Sequence, residues 1–135
     1  CLSSIRGGQR LVAGGRGGKV FVYSVQLKRA VACSMAKLCE TRCMGDVLCV
    51  SFDASGSFFV TGTETKVVQV WTLDKVGDQD MTCTCATRFF CKSQVHGVAT
   101  APLGGIGKRN FRLAVGTSNC TEVYECFWKL SHEPW

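Results

Sequence analysis

Cysteine is the residue type best placed to do chemistry in this chain, because 135 residues contain ten of them. Thiolates bind zinc and form disulfides, and a metal site needs paired cysteines at a defined spacing. Cys39 and Cys43 are four residues apart, Cys83 and Cys85 are two apart, and no second pair lies at zinc-knuckle distance from either. Most of the others lie in apolar stretches, where a free thiol packs as a small hydrophobic group. We expect free structural thiols, no metal and no cofactor, with a thiol- or metal-binding domain as the second alternative.

The other residues suited to catalysis are few and poorly grouped. Histidine occurs twice, as His96 beside a predicted strand and His132 in a polar tail, and no third group orients a Cys91–His96 pair. Residues 103–109 contain Gly-Lys, but Pro102 stands where a phosphate-binding loop needs its first glycine. We therefore expect the chain not to be an enzyme.

Composition predicts a globular chain of strands joined by glycine turns. The chain is 46% hydrophobic and 19% charged, which excludes a disordered chain, and no apolar run is long enough for a membrane-spanning helix. It begins at Cys1 without a Met or an apolar leader, so we expect a segment of a longer protein. The lack of disulfide spacing favours an intracellular location, chiefly cytoplasmic, with cytoskeletal or nuclear sites as alternatives.

The net charge of +6 is concentrated in the first third of the chain. Residues 1–39 hold seven basic residues and no acidic one, whereas the remaining residues hold nine basic and ten acidic ones. Such a segment is either a solvated sheet surface or a binding face for RNA or an acidic partner. Aromatic residues do not alternate with the basic ones, and we expect Phe89 and Phe90 to lie in the core. RNA binding is therefore the first alternative rather than the leading hypothesis.

A repeat is the most informative feature of the sequence. Three apolar segments end in Gly14, Gly62 and Gly116, and the second interval is slightly longer than the first. A second apolar segment ends at a similar distance after each glycine, with Tyr23 and Trp71 in matching positions. This pattern of strand, polar turn and strand predicts hairpins, with these three glycines and two aromatic residues in structural roles.

Two further strands complete each predicted unit. Segments 47–52 and 95–100 precede the second and third hairpins, and segments 28–33 and 81–86 fill the gaps between units. Four antiparallel strands in about 48 residues are typical of a propeller blade. The predicted fold is therefore all-β, with roughly three four-stranded antiparallel blades. Because three blades cannot close a ring, we expect them to belong to a larger propeller.

Residues 48–73 closely resemble a WD40 repeat. They combine an apolar first strand, the Asp53-Ala-Ser-Gly56 turn, the small-residue and glycine pair Thr61-Gly62, and Trp71 at the close of the third strand. The resemblance divides the chain into the end of one repeat, a best-formed repeat, a degenerate repeat with an inserted loop at 103–110, and the start of a further strand or a tail. In that order, the four parts are residues 1–25, 26–73, 74–126 and 127–135.

The resemblance implies a function as well as a fold. Cys43 and Cys91 stand at positions where the family has histidine, so we expect its His–Ser–Asp–Trp hydrogen-bond network to be absent. The family implies a non-catalytic scaffold that mediates protein–protein interactions within a larger assembly, with no membrane span and with nucleic acid as a less favoured partner. Its docking face combines the loops from fourth to first strands with the tight turns between second and third strands. Here that face comprises Arg16, Lys19, Arg42, Glu64, Lys66, Lys92 and Asn119.

Overall fold

A computed structural model describes residues 1–5, 7–28, 32–77, 80–103 and 110–128. The prediction of an all-β chain is confirmed, because these residues form eleven strands and one single-turn 3-10 helix, Arg16–Gly18. None of the described segments is a helix long and apolar enough to cross a membrane. The strands are β1 (Leu2–Ser4), β2 (Arg10–Gly14), β3 (Lys19–Lys28), β4 (Ala32–Arg42), β5 (Val47–Phe52), β6 (Phe58–Thr63), β7 (Val67–Val76), β8 (Asp80–Phe90), β9 (Val95–Pro102), β10 (Phe111–Thr117) and β11 (Thr121–Cys126).

The strands form three antiparallel sheets in chain order. The first sheet is β1-β2-β3-β4, the second is β5-β6-β7-β8, and the third is β9-β10-β11. Each strand pairs with its neighbour in sequence, so every sheet is a simple meander. The third sheet has three strands within the described residues, where the sequence predicts four. The sheets do not coincide with the sequence repeats, because the fourth strand of the first sheet and that of the second each open the next repeat.

The fourth strands differ from their predicted positions. The sequence predicts a strand over 28–33, but β3 runs on to Lys28 and β4 begins at Ala32. The two strands form a long ribbon in which pairs such as Val25 with Met35 extend the ladder past Tyr23. Likewise β8 runs to Phe90, beyond the predicted segment 81–86. The length of these ribbons depends on cross-strand pairing, which local sequence patterns do not report.

The structure repeats with the period that the sequence indicates. The third and fourth strands of the second sheet, β7 and β8, have the same lengths as β3 and β4 of the first. Both are displaced along the chain by the interval that separates Gly14 from Gly62. Even an irregularity is repeated, because the register shifts between Val22 and Tyr23 in the first sheet and between Val70 and Trp71 in the second. The first two sheets are therefore copies of one structural unit.

The hydrophobic core consists of two layers, one on each face of the second sheet. The layer shared with the first sheet includes Val12, Val22, Phe59 and Trp71, all buried. The layer shared with the third sheet is built in the same way. All six residues of β6 are buried as a result, so the strand carries no charged residue and does not alternate between buried and exposed positions. The buried members of the second layer are Cys49, Phe58, Val60, Val68, Val70, Val95, Phe111, Leu113 and Val115.

The first strands of the three sheets adjoin one another in order. The Phe52 N–H of β5 donates a hydrogen bond to Ser3 Oγ of β1, at 3.0 Å. The Phe52 carbonyl in turn accepts one from Thr100 Oγ1 of β9, at 2.8 Å. The sheets are thus packed face to face, with their first strands side by side.

Two of the three predicted structural glycines allow the next sheet to approach closely. A Cβ atom on Gly62 would clash with Val95 Cγ1, and one on Gly14 would lie 2.5 Å from Val47 Cγ1. Neither space admits a methyl group without movement of a valine. A Cβ on Gly116 would meet nothing closer than the Gly97 carbonyl oxygen, at 3.7 Å. Gly116 therefore occupies the position in the third sheet that corresponds to Gly14 and Gly62, but no described residue packs closely against it.

Candidate interaction surface

Five connections between strands lie along one side of the molecule, which we call the loop edge. Backbone hydrogen bonds tie each connection to the next, so the edge is continuous and its backbone is held in place. The connections are residues 15–18, 43–46, 64–66, 91–94 and 118–120. Bonds that join them, each given as donor N–H and acceptor C=O, are Cys43 to Gly18 (2.8 Å), Glu64 to Asp46 (3.0 Å), Cys91 to Lys66 (2.7 Å) and Ser118 to Gln94 (3.2 Å).

Asp46 joins three of these connections. Its Oδ1 atom accepts a hydrogen bond from the Gly17 N–H at 2.7 Å, next to Arg16. Its own N–H donates to Glu64 Oε1 at 3.4 Å, and its carbonyl accepts from the Glu64 N–H. The Thr65 hydroxyl also donates to the Met44 carbonyl. Asp46 was not among the sequence-predicted residues, although an acidic residue just before a strand is a visible signal for a loop contact.

The structure brings the predicted docking residues to the loop edge. Lys19 and Arg42 are opposite each other in the β3–β4 register, at the ends of their strands. Lys66 has a left-handed backbone with φ of 67°, which closes the β6–β7 turn. The side chains of all seven are exposed; they are Arg16, Lys19, Arg42, Glu64, Lys66, Lys92 and Asn119.

The charges on the loop edge are unpaired and mostly positive. Between described residues, the ion pairs are Lys37–Glu40 and Arg112–Glu125, and neither includes a basic side chain of this edge. No basic side chain of the edge thus has a carboxylate partner elsewhere in the described chain. Five of the predicted residues are basic, against the acidic pair Asp46 and Glu64. The edge therefore offers free cations held on an ordered backbone.

Two exposed apolar side chains at the loop edge were missed by the sequence analysis. Met44 is 44% exposed, and Phe90 is 69% exposed at the end of β8. Arg88 Nη1 lies 3.3 Å from the Met44 sulfur, and Phe90 points to the same face of β8 as Arg88. These residues form an apolar patch within the basic edge. The expectation of a core position is wrong for Phe90, whereas Phe89 does pack against the second core layer.

A β-bulge explains why neighbouring phenylalanines take different positions. Trp71 is opposite Cys85 but Val70 is opposite Thr87, so one residue of β8 is left over between them. A bulge reverses the alternation of inward and outward side chains. After it, Phe89 turns towards the third sheet and Phe90 towards the loop edge.

Trp71 anchors a buried polar chain with Thr61 and Cys43, which is different from the His–Ser–Asp–Trp network that the sequence predicts to be absent. Its indole Nε1–H donates to Thr61 Oγ1 at 3.0 Å, and the Thr61 oxygen lies 3.3 Å from Cys43 Sγ. The indole also stacks on Phe59, with ring planes 14° apart. Burial is the main cause that raises the pKa of Cys43, so this thiol stays protonated. Cys43 is thus the partner of the buried Thr61 hydroxyl. Tyr23, which occupies the matching position in the first sheet, is only partly buried.

The cysteines are all free thiols, but fewer are buried than the sequence suggested. Cys43 and Cys49 are buried, and burial raises the pKa of Cys49 to about 11. Across the described ranges, no group of three or more His, Cys, Asp or Glu residues is arranged to hold a metal ion. The remaining thiols are half-buried or exposed: Cys39, Cys83, Cys91 and Cys126 in the first class, and Cys1, Cys33, Cys85 and Cys120 in the second.

The groups considered for catalysis are placed apart. His96 is exposed and its Nε2 lies 2.9 Å from Ser118 Oγ, so it does not pair with Cys91. Some of the predicted features lie outside the described residues. They are residues 104–109 of the inserted loop and residues 129–135 of the last predicted segment, which include His132.

An open cavity of about 290 Å³ lies between the second and third sheets, away from the loop edge. Its walls are largely aromatic, and a hydrogen bond to the Glu122 carboxylate raises the pKa of Tyr124 to about 12. Tyr124 is therefore a neutral phenol at physiological pH. The cavity supplies an apolar surface, and burial raises the pKa of the Cys126 thiol in its lining. Aromatic residues that line it are Phe89, Phe111, Tyr124, Phe127 and Trp128.

No protein-family model matches the chain, and no curated protein sequence is significantly similar to it. Its functional assignment therefore rests on the geometry described above.

Proposed function

We propose that the chain is part of a WD40-type β-propeller and acts as a non-catalytic scaffold for protein–protein interactions, docking a partner on the loop edge. The observation that carries the proposal is the loop edge itself. It combines a hydrogen-bonded backbone, unpaired basic side chains and an exposed apolar patch of Met44 and Phe90. A rigid base with variable side chains is how loop surfaces commonly bind partners.

The arrangement of the sheets supports a propeller. Four-stranded meanders that repeat at a regular interval, packed face to face with their first strands adjacent, are what radial repetition requires. The buried contact from Trp71 to Thr61 also supports a WD40-like unit, with Cys43 in place of histidine. In this proposal, further blades cover the outward faces of the first and third sheets, within an intracellular assembly.

The chemistry of the edge favours a protein partner over RNA. Protein interfaces combine an apolar or aromatic centre with a charged rim, and Phe90 beside Arg88 and Lys92 has that character. Binding of single-stranded RNA draws on several aromatic faces along a basic groove, whereas one exposed phenylalanine is present in the described edge. An acidic partner segment with an apolar anchor residue fits the edge best.

The test is a charge reversal at the centre of the edge. Beads carrying the chain or the Arg16→Glu/Arg42→Glu variant are incubated with cell extract, and bound proteins are quantified by mass spectrometry. We expect specific partners to fall at least tenfold on the variant, because two attractive charges become repulsive ones. Stability should change by less than about 0.5 kcal/mol, since both side chains are exposed.

The matched control reverses the same total charge elsewhere. Lys37 and Lys75 are exposed and lie on strands, so Lys37→Glu/Lys75→Glu should leave the partners bound. If both variants lost the bound partners equally, the change in net charge would explain the loss, and this would count against a docking site. If the Arg16→Glu/Arg42→Glu variant lost bound RNA, and its bound proteins in nuclease-treated extract were unchanged, the nucleic-acid alternative would be favoured instead.

A further inference from the structure

Two cysteines from different sheets face each other across the first core layer. Cys39 is on β4 and Cys83 is on β8, and both pack against the same cluster of buried residues. The two strands adjoin, with Cα atoms within 8 Å of each other. The two thiols are close enough that each shifts the pKa of the other. The two cysteines are far apart in sequence, so the sequence gives no hint of this contact.

Strand register independently directs both side chains into the space between the sheets. Cys39 is opposite Val22, and Cys83 is opposite Leu73. Residues opposite each other in an antiparallel pair project from the same face. Val22 and Leu73 are both buried in the layer between the first and second sheets, so their partners also point into it. Each cysteine remains half-buried, which leaves small oxidants access from the edge of the layer.

The surroundings of the pair make one thiol the nucleophile. The Cys83 S–H donor, followed by the positive charge of Arg10, lowers the pKa of Cys39. The same contact, together with burial, raises the pKa of Cys83, which keeps its proton. Burial raises the pKa of Cys43, Cys49, Cys91 and Cys126. Since the thiolate is the reactive form, Cys39 is the favoured site of attack.

We propose that Cys39 and Cys83 are a peroxide-sensitive thiol pair that is oxidised to a disulfide joining the first sheet to the second. The oxidant is a small hydroperoxide, and the product crosslinks β4 to β8. Reduction by a dithiol restores both thiols. This proposal depends on the two sheets and not on the proposed function of the edge.

The oxidation balances with hydrogen peroxide as the named oxidant. The Cys39 thiolate attacks one peroxide oxygen, the O–O bond breaks, and the released hydroxide takes up the proton that Cys39 had lost. Cys39 is then a sulfenic acid. The Cys83 sulfur attacks the Cys39 sulfur, the S–O bond breaks, and the departing hydroxide leaves with the Cys83 proton as water. Two thiols and one peroxide thus give one disulfide and two water molecules.

The test treats the reduced full chain with about one equivalent of hydrogen peroxide, followed by alkylation, trypsin and mass spectrometry. We expect the thiol count to fall by two and a crosslink to join peptide 38–42 to peptide 76–88. Dithiothreitol should abolish the crosslink. Because the disulfide would close a long loop of the chain, the melting temperature should rise by roughly 10 °C.

Exposed cysteines on the same two strands supply matched controls. Peptide 76–88 also contains Cys85, so the Cys85→Ser variant must keep the crosslink, as must Cys33→Ser on β4. Cys39→Ser and Cys83→Ser must each lose it. In Cys83→Ala, peroxide should still oxidise Cys39, but the pH at half-maximal rate should rise because the S–H donor is gone.

Two results would overturn the proposal. One is a crosslink that disappears with Cys85→Ser, which would assign the wrong sulfur. The other is oxidation of the exposed Cys33, Cys85 or Cys120 to sulfinic acids while Cys39 and Cys83 stay reduced, so that the later alkylation step labels both of them.

Discussion

At the scale of single residues, Trp71 combines packing with a buried hydrogen bond. It is 4% exposed, stacks on Phe59 and donates to Thr61. Trp71→Ala should lower the free energy of unfolding by about 3–5 kcal/mol because it removes a large buried ring. Trp71→Phe should cost about 1–3 kcal/mol, since the Thr61 hydroxyl loses its donor. Urea denaturation followed by circular dichroism measures both.

Tyr23 is the control for this prediction because it occupies the matching position of the first sheet. It is only partly buried, and its face of the sheet has no described sheet against it. Tyr23→Ala should therefore cost clearly less than Trp71→Ala. Equal costs at the two positions would mean that burial between the sheets is not what Trp71 contributes.

The residues that sequence analysis placed best are those governed by local pattern. Gly62 and Trp71 lie in the β6–β7 hairpin, which the sequence could indicate because a glycine near a strand end and an aromatic residue at a fixed distance repeat visibly. Phe90 was misplaced because the bulge opposite Trp71 reverses the alternation of β8, and a one-residue slip in pairing leaves no trace in composition. The contact of Cys39 with Cys83 could not be predicted either, since it depends on how two sheets pack.

At the scale of strands and sheets, close approach of neighbours decides which glycines are required. Gly62→Ala should destabilise the chain by about 1–3 kcal/mol, because the new methyl group clashes with Val95 Cγ1 and lies 2.6 Å from Cys49 Sγ. Gly116→Ala should change stability by less than about 0.5 kcal/mol, because its nearest neighbour is 3.7 Å away. Thermal denaturation of the two variants separates these outcomes. A tolerated Gly62→Ala would show that the second and third sheets pack less tightly than described.

The positions of the strands were largely predictable, whereas their extents and partners were not. The repeat period located the hairpins because turn residues and apolar runs recur together in the sequence. The ends of β4 and β8 depend on pairing with β3 and β7, so they extend beyond the apolar segments that indicated them. Likewise the position of the loop edge could be predicted from strand order alone. Its apolar patch could not, because the exposure of Phe90 depends on the register of β8 with β7.

At the scale of the whole molecule, the second sheet is covered on both faces and its neighbours on one. Within the described residues, β11 pairs with β10 alone, so its other side presents free N–H and C=O groups. Leu2 and Val123 are exposed on the two outer sheets, by 68% and 67%. A free edge with apolar side chains is a template for pairing with another strand. In the proposed propeller, a fourth strand would pair with β11, and neighbouring blades would cover the outward faces of the two outer sheets.

The 135-residue chain alone should therefore self-associate, and a charge on the free edge should suppress this. Val123 is exposed on β11, so Val123→Lys should shift the sedimentation profile towards monomer at the same protein concentration, because a lysine on an edge strand opposes strand pairing. Val76→Lys is the matched control: Val76 is 52% exposed at the end of β7, on a different sheet from β11, and it pairs with Asp80 of β8. That variant should associate as the unmodified chain does. If both lysines suppressed association equally, general charge repulsion would explain it, and if the unmodified chain stayed monomeric, the outer sheets would need no cover. Only a difference between the two positions assigns the association to the open edge of the third sheet.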